Sequence, residues 1–278
     1  MSTTKHPPAQ VVAEVVARAL TEDLGVLGDL TAALLPPGAR AVAELVPRAD
    51  GVLAGRRAAT ETFAQVDGEV VVRWAADDGD PVAGGQRLAE VAGRLASILT
   101  AERTALNLLG HLSGIATLTH RYARAAAPAL VRDTRKTTPG LRALEKAAVR
   151  AGGGVNHRGS LSDGILLKDN HLAGLTIAEG LERARRLWPG RAVQVECDSV
   201  EQLEDAVEAG ADLVLLDNMT PDEVAVCVAQ VAGRCPVEVS GGVTLDTVAA
   251  YAAAGADLIS VGALTHSAPV LDIGLDVR

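Results

Sequence analysis

The sequence predicts a mixed α/β chain in two parts, an antiparallel α+β module followed by a parallel βα barrel. Up to Val91, strand-like runs follow one another without regular intervening helices, which suits an antiparallel sheet packed on helices. From Leu130 onward, apolar runs alternate with amphipathic helical stretches, and the step from Glu196 to Asp217, to Ser240 and to Gly262 is 21, 23 and 22 residues. That is the length of a βα unit with short loops. Ala-Gly-Ala-Asp-Leu also occurs twice, at Ala209–Leu213 and Ala254–Leu258, each time leading into a strand. Strands apolar throughout need cover on both faces, so the sheet is expected to close, or nearly close, into a barrel.

The elements follow in order. Residues 1–10 read as a mobile tail, and Val11 to Leu24 places Val12, Val15, Val16 and Leu20 at helical spacing before Gly25. Strands are expected at Ala41–Pro47, Glu69–Ala75 and Gln86–Val91, with a short helix near Arg57–Gln65. Leu95 to Ala127 is helix-forming, with breaks expected at Gly110 and Ser113-Gly114. The boundary is drawn there, giving a first domain over 11–113 and a barrel over 114–265, with a C-terminal tail over 266–278. Barrel strands are expected at Leu130–Arg132, Ile165–Leu167, Val193–Val195, Leu213–Leu216, Val237–Val239 and Leu258–Val261, with Val155 as one further short strand.

Composition narrows the chemistry. The chain has 278 residues, enough to bury about three quarters of its unfolded surface. A net charge of −9 and only 2% aromatic residues argue against a nucleic-acid surface built on basic patches and base stacking. Cys197, Cys227 and Cys235 form no CxxC pair, which suits buried thiols in a reducing compartment. The first eight residues lack the apolar core of a signal peptide, and no apolar run is long enough for a membrane span, so a soluble, cytoplasmic protein is expected.

Against that acidic background, the segment from Arg132 to Lys168 carries eight Lys or Arg and three acids. Arg142, Lys146 and Arg150, four residues apart and flanking Glu145, read as a solvated helix face. Arg135, Lys136, Arg158 and Lys168 lie beside turn residues or at the end of an apolar run, and read as a pocket for an anion. In a βα barrel the residues that follow the strands share one rim, where active sites of that architecture are built. Here they are Asp133, Arg135 and Lys136, then Lys168, Glu196, Asp217, Ser240-Gly241-Gly242 and Gly262-Ala263. Glu196 and Asp217 suit Mg²⁺, which takes one or two carboxylates plus water and phosphate oxygens. They equally suit a role as rim charges neutralising Lys168 or Lys136. The glycine-bearing turns suit a phosphate. Together these point to a phosphorylated, Mg²⁺-bound substrate beside a second, anionic one. A Schiff-base aldolase using Lys168 and a barrel that only senses an organic acid remain as other classes.

Several motifs carry a resemblance. Asp133-Thr134-Arg135-Lys136-Thr137-Thr138-Pro139-Gly140, Gly152-Gly153-Gly154-Val155-Asn156-His157-Arg158, Leu167-Lys168-Asp169-Asn170-His171 and Glu238-Val239-Ser240-Gly241-Gly242-Val243 are similar to those of the quinolinate phosphoribosyltransferase family. Glu22-Asp23-Leu24-Gly25, Gly28-Asp29-Leu30-Thr31 and Glu102 to Asn107 match it as well. The resemblance implies an N-terminal α/β sandwich and an incomplete (β/α) barrel of about six or seven parallel strands, with the tail returning to the first domain. It implies phosphoribosyl transfer from 5-phosphoribosyl 1-pyrophosphate to quinolinate with loss of CO₂, giving nicotinate mononucleotide for NAD synthesis. Arg135, His157, Arg158 and Lys168 would hold quinolinate, joined by Arg103 from the second subunit of a homodimer. Lys136 would meet the pyrophosphate, Glu196 and Asp217 the ribose hydroxyls or Mg²⁺, and Ser240, Gly241, Gly242, Gly262 and His266 the phosphate. A molybdenum-associated relative of the same fold, acting on another aromatic acid, is the alternative within that family. Gly159-Ser160 and Gly110 are smaller than the residues common there.

Overall fold

The structure, a computed structural model, describes residues 6–172 and 174–278. Half of the expected mobile tail, residues 1–5, therefore lies outside the described residues, and helix α1 (Ala9–Leu24) already takes in residues 9 and 10. The chain divides into two compact units. One comprises residues up to His120 together with Thr137–Gly153 and Leu264–Arg278, the other Arg121–Lys136 and Gly154–Ala263.

In the first unit, β1 (Arg40–Pro47), β2 (Gly51–Val52), α2 (Arg56–Val66), β3 (Val71–Trp74), β4 (Pro81–Val82) and β5 (Ala89–Arg94) precede the long helix α3 (Leu95–Ala126), which runs on into the second unit. Strand β5 starts three residues later than expected, because Gln86 closes a turn on Ala83 through its backbone and its side chain. Four antiparallel strands, in the order β12-β1-β5-β3, include the C-terminal strand β12 (Ile273–Val277), registered on β1 from Ala43↔Val277 to Pro47↔Ile273. Leu45, Leu53, Phe63, Leu88, Ile98 and Leu109 fill the core, where Phe63 is the chain's one phenylalanine.

Helix α3 is unbroken through Gly110 and Ser113-Gly114, contrary to the expectation. The glycines serve close approach. A Cβ on Gly110 would lie 2.8 Å from the Leu271 carbonyl oxygen, and one on Gly114 would collide with that of Pro269. Leu271 N–H donates to Gly110 O at 3.0 Å, so the tail lies directly on the helix backbone. Ser113 is buried because its hydroxyl bonds both Ala54 N and Ala54 O at 3.0 Å.

Helix α4 (Arg142–Ala151) also belongs to this unit and is not a solvated face. Glu145 is fully buried and Lys146 is 5% exposed. Glu145 accepts from Thr138 N–H at 3.1 Å and pairs with His111 Nε2 at 2.9 Å, and this satisfies the carboxylate away from water.

The second unit holds β6 (Leu130–Arg132), β7 (Ile165–Leu167), α5 (Ile177–Leu187), β8 (Val193–Cys197), α6 (Val200–Glu208), β9 (Leu213–Asp217), α7 (Pro221–Val231), β10 (Val237–Ser240), α8 (Val248–Ala253) and β11 (Leu258–Ser260). A short helix, α9 (Ala263–His266), follows. Capping boxes start α5 at Thr176 with Glu179 and α7 at Thr220 with Glu223, and each satisfies backbone donors at a helix start. All six strands are parallel, in the order β6-β11-β10-β9-β8-β7, and Val155 bridges to Arg132 on the free side of β6 as a rudimentary seventh. The sheet curls. On a flat sheet Val155 and β8 would be five strand spacings apart, about 24 Å, yet His157 Nε2 lies 3.1 Å from Gln194 Oε1 of β8. The result is a βα barrel, as the sequence pattern predicts, and an incomplete one, as the resemblance implies.

Gly114→Ala is expected to lower stability by about 1–3 kcal/mol, since the added carbon meets a backbone that cannot yield as a side chain could. Equilibrium urea unfolding would read this as a lower midpoint.

Candidate active site

The parallel register puts the polar strand ends on one rim. Leu167 pairs with Val195, Glu196 with Leu215 and Ser240 with Asp217, so Lys168 is level with Glu196 and, two residues further along, Asp217 is level with Ser240, all at the carboxyl ends of neighbouring strands. Carboxylate atoms of Glu196, Asp198 and Asp217 all lie within 4.8 Å of one another. They line an open cleft of 510 Å³ together with Asp169, Asn218, Met219 and Glu223. Oxygen-only donors on a solvent-open wall fit a hard divalent cation that keeps several waters.

The next turn is held by backbone contact. Asn218 has φ of 57°, donates its N–H to Ser240 O at 2.9 Å and donates its amide to Asp217 Oδ2 at 2.7 Å. A Cβ on Gly241, whose φ is 95°, would run into that asparagine. Glycine there lets the turns after β9 and β10 touch.

Positive charge meets this acidic wall. Lys168 Nζ forms an ion pair with Glu196 Oε2. Burial and the neighbouring Arg135 both lower the Arg158 guanidinium below its ordinary value, while Glu196 opposes them. Arg135, Arg158, Lys168 and Glu196 are thus electrostatic neighbours, and Asp217 joins them through the carboxylate cluster. In the loop between Arg158 and β7, Asp163 accepts from Gly159 N at 2.6 Å and Ser160 N at 3.2 Å, so these small residues are held in place.

The Lys136 side chain is exposed, and its backbone N–H donates to Thr134 Oγ1 at 3.0 Å. Arg103 and His266 belong to the first unit and are both exposed, with His266 Nδ1 2.7 Å from Ser267 Oγ. Ser240 and Gly262 are half-buried at the ends of β10 and β11, with Ala263 next to Gly262.

Beneath the rim lies a polar layer. Glu238, in mid-strand on β10 and fully buried, accepts from Arg132 Nη1 at 2.7 Å, from Gln194 Nε2 at 2.8 Å and from the Ser260 hydroxyl. Asp133, also fully buried, accepts from His157 N at 2.9 Å and from the Asn156 amide. The His157 ring points into this layer, and its pKa is lowered from 6.5, first by burial.

Family models for the N-terminal and C-terminal domains of quinolinate phosphoribosyl transferase match residues 29–113 and 115–276. The chain belongs to the quinolinate phosphoribosyltransferase family. Among this family's members it is 44% identical to the nicotinate-nucleotide pyrophosphorylase [carboxylating] of Mycobacterium leprae, over 95% of this chain and 96% of that one. A probable enzyme of the same name from Bacillus subtilis is 43% identical, over 92% and 90%. The structure of the Francisella tularensis nicotinate-nucleotide pyrophosphorylase superposes with a TM-score of 0.95 at 36% identity, covering 99% of this chain and 98% of that one.

Sequence reasoning missed Glu238, Gln194, Arg132, Asp133 and Asn156 as supports of the site. The available signal was a charged or amide residue inside an apolar strand, as in Val237-Glu238-Val239 and Val193-Gln194-Val195.

Glu238→Leu is expected to cost about 3–5 kcal/mol, because it strands a buried Arg132; a urea midpoint unchanged from the parent would contradict this. The lowered His157 pKa adds a pH dependence. On acidification the unfolded chain takes up a proton that the folded ring resists, so this contribution is complete above pH 6.5 and is lost as the pH falls. The drop in urea midpoint between about pH 7.5 and about pH 5.5 is expected to be smaller in His157→Asn than in the parent.

Proposed function

We propose that this chain transfers the phosphoribosyl group of 5-phosphoribosyl 1-pyrophosphate to quinolinate with loss of CO₂, releasing pyrophosphate and nicotinate mononucleotide, a decarboxylating pentosyltransferase step in NAD biosynthesis. The observation that carries the reading is the cationic group of Arg135, Arg158 and Lys168 set against the acids Glu196 and Asp217 on one rim. The activity in the names of its relatives, together with their near-complete coverage of the chain, supports it.

The roles follow from charge and geometry. A dicarboxylate needs several cations, and arginine forks accept carboxylates two oxygens at a time. Arg135, Arg158 and Lys168 take the two carboxylates, with Arg103 supplied by the second copy in a homodimer. Lys136 meets the pyrophosphate, and Ser240, Gly241, Gly242, Gly262, Ala263 and His266 take the 5-phosphate end. Glu196 and Asp217 meet the ribose hydroxyls or hold Mg²⁺, which when bound would offset pyrophosphate charge. The ring nitrogen's lone pair forms the bond to ribose C1 as the C1–oxygen bond breaks and pyrophosphate leaves with the electron pair. Glu196 and Asp217 face the positive charge that develops on the sugar and stabilise it electrostatically. The quaternised ring then accepts the pair left at C2 when CO₂ departs, and C2 takes up a proton.

Among the described residues no helix is long and apolar enough to cross a membrane. Three free cysteines, two of them buried, suit work in the reducing cytoplasm.

Pyrophosphate release with quinolinate, phosphoribosyl pyrophosphate and Mg²⁺ tests the reading. Turnover matched by CO₂ release is expected, and efficient turnover of nicotinate in place of quinolinate would refute the substrate. Arg158→Ala is expected to raise KM for quinolinate about 10-fold or more, the loss of a charge-assisted hydrogen bond, while leaving KM for the phosphoribosyl donor unchanged. Equal loss for both substrates would contradict the partition.

A further inference from the structure

Both nitrogens of the His157 ring are committed inside the barrel. The Arg158 N–H lies 2.7 Å from Nδ1 and can only donate, so Nδ1 carries a lone pair. The neutral ring then has its proton on Nε2, 3.1 Å from Gln194 Oε1, and Gln194 spends its own N–H on Glu238 Oε2 at 2.8 Å. Arg132 and Ser260 complete the Glu238 carboxylate. Reversing the Gln194 amide would set two donors against each other at His157 and oxygen against oxygen at Glu238. Only one assignment therefore gives every donor an acceptor.

Protonation of the ring would remove the acceptor that holds Arg158 N–H, would cost hydration in a buried place, and would add a third positive charge beside Arg132 and Arg158, against which stands the Glu238 carboxylate 3.7 Å from Nε2. One residue earlier, Asp133 holds the chain by accepting from His157 N–H and from the Asn156 amide, and the Arg158 N–H is held by Nδ1. A group that binds a carboxylate directly needs a donor turned toward it. Here the single ring donor is turned into the core.

We propose that His157 is a positioning residue and not a ligand for the substrate's carboxylate: burial beside Arg132 and Arg158 keeps the ring neutral, Gln194, oriented by Glu238, fixes its proton on Nε2, and Nδ1 thereby holds the Arg158 backbone and aims its guanidinium. Gln194 and Glu238 act through His157. The effect on quinolinate rests on the function proposed above, whereas the state of the ring does not.

Long-range ¹H–¹⁵N spectra of the ¹⁵N-labelled full chain read the ring directly. One protonated and one bare nitrogen are expected for His157, with Nε2 protonated, both in the free protein and after quinolinate is added. An Nδ1–H tautomer, or a doubly protonated ring in either state, would overturn the proposal. This holds even if the protein fails to turn over quinolinate, an outcome that would sink the assigned reaction and leave the ring assignment standing on its own spectrum. Kinetics supply the second arm. His157→Asn keeps an oxygen near the place of Nδ1 and is expected to hold KM for quinolinate within about threefold, whereas His157→Phe, which removes the acceptor, raises it about tenfold or more. Neither variant is expected to change KM for the phosphoribosyl donor. Should Asn prove as damaging as Phe, the ring would be a direct ligand and the proposal would fall; if the Phe variant does not fold, the parent spectrum decides.

Discussion

The buried ion pair between Arg132 and Glu238 is the constraint on which the barrel depends. Taking a carboxylate and a guanidinium out of water costs several kcal/mol each, and mutual attraction offsets that only when their remaining hydrogen-bonding capacity is met. Glu238 meets this condition through Gln194 and Ser260, which arrive from β8 and β11, while Arg132 arrives from β6. Gln194 and Arg132 each reach Glu238 across one intervening strand, a span that the curl of the sheet shortens. The polar layer therefore selects one curvature and one register, which an apolar layer of the same volume would specify less tightly.

This layer also explains how an acidic chain presents cations at its rim. Arg158 is one residue from His157, whose ring and backbone are tied to Gln194 and Asp133. Arg135 follows two residues after Asp133. The buried carboxylates at 133 and 238 offset part of the positive charge concentrated above them, and burial, followed by repulsion from Arg135, lowers the Arg158 pKa. Cations so held retain a deficit of negative charge that an anionic ligand fills.

Much of this was legible in the sequence. All six barrel strands were predicted to within a residue or two, because an apolar run bounded by polar rim residues repeats at the period of a βα unit. Lys168, Glu196 and Asp217 were legible for the same reason, since strand ends fix which residues share the rim. What escaped was set by partners distant in sequence. Nothing local marks Gly110 and Gly114 as seats for the tail, because the reason is the carbonyl groups of Leu271 and Pro269, more than 150 residues away. Glu145 read as a surface acid because the four-residue spacing of its basic neighbours suits a solvated helix. Its burial follows from His111 and Thr138, which that spacing does not reveal. Glu238 was read as part of a motif and given no role, since an isolated acid in a strand does not reveal which arginine it meets.

The Lys168–Glu196 contact links the two halves of the rim. Each of the two neutralises the other, while Arg135 and Arg158 beside them keep their charge. An anion that engages Lys168 competes with Glu196, and a cation or sugar hydroxyl that engages Glu196 competes with Lys168. Whichever ligand arrives first bears the cost of parting the pair, and the second finds its partner already released. Linkage makes that assistance reciprocal, so each ligand strengthens the binding of the other by the same factor. A rim built this way favours having both ligands present at once, which is the condition that a transfer between two substrates requires.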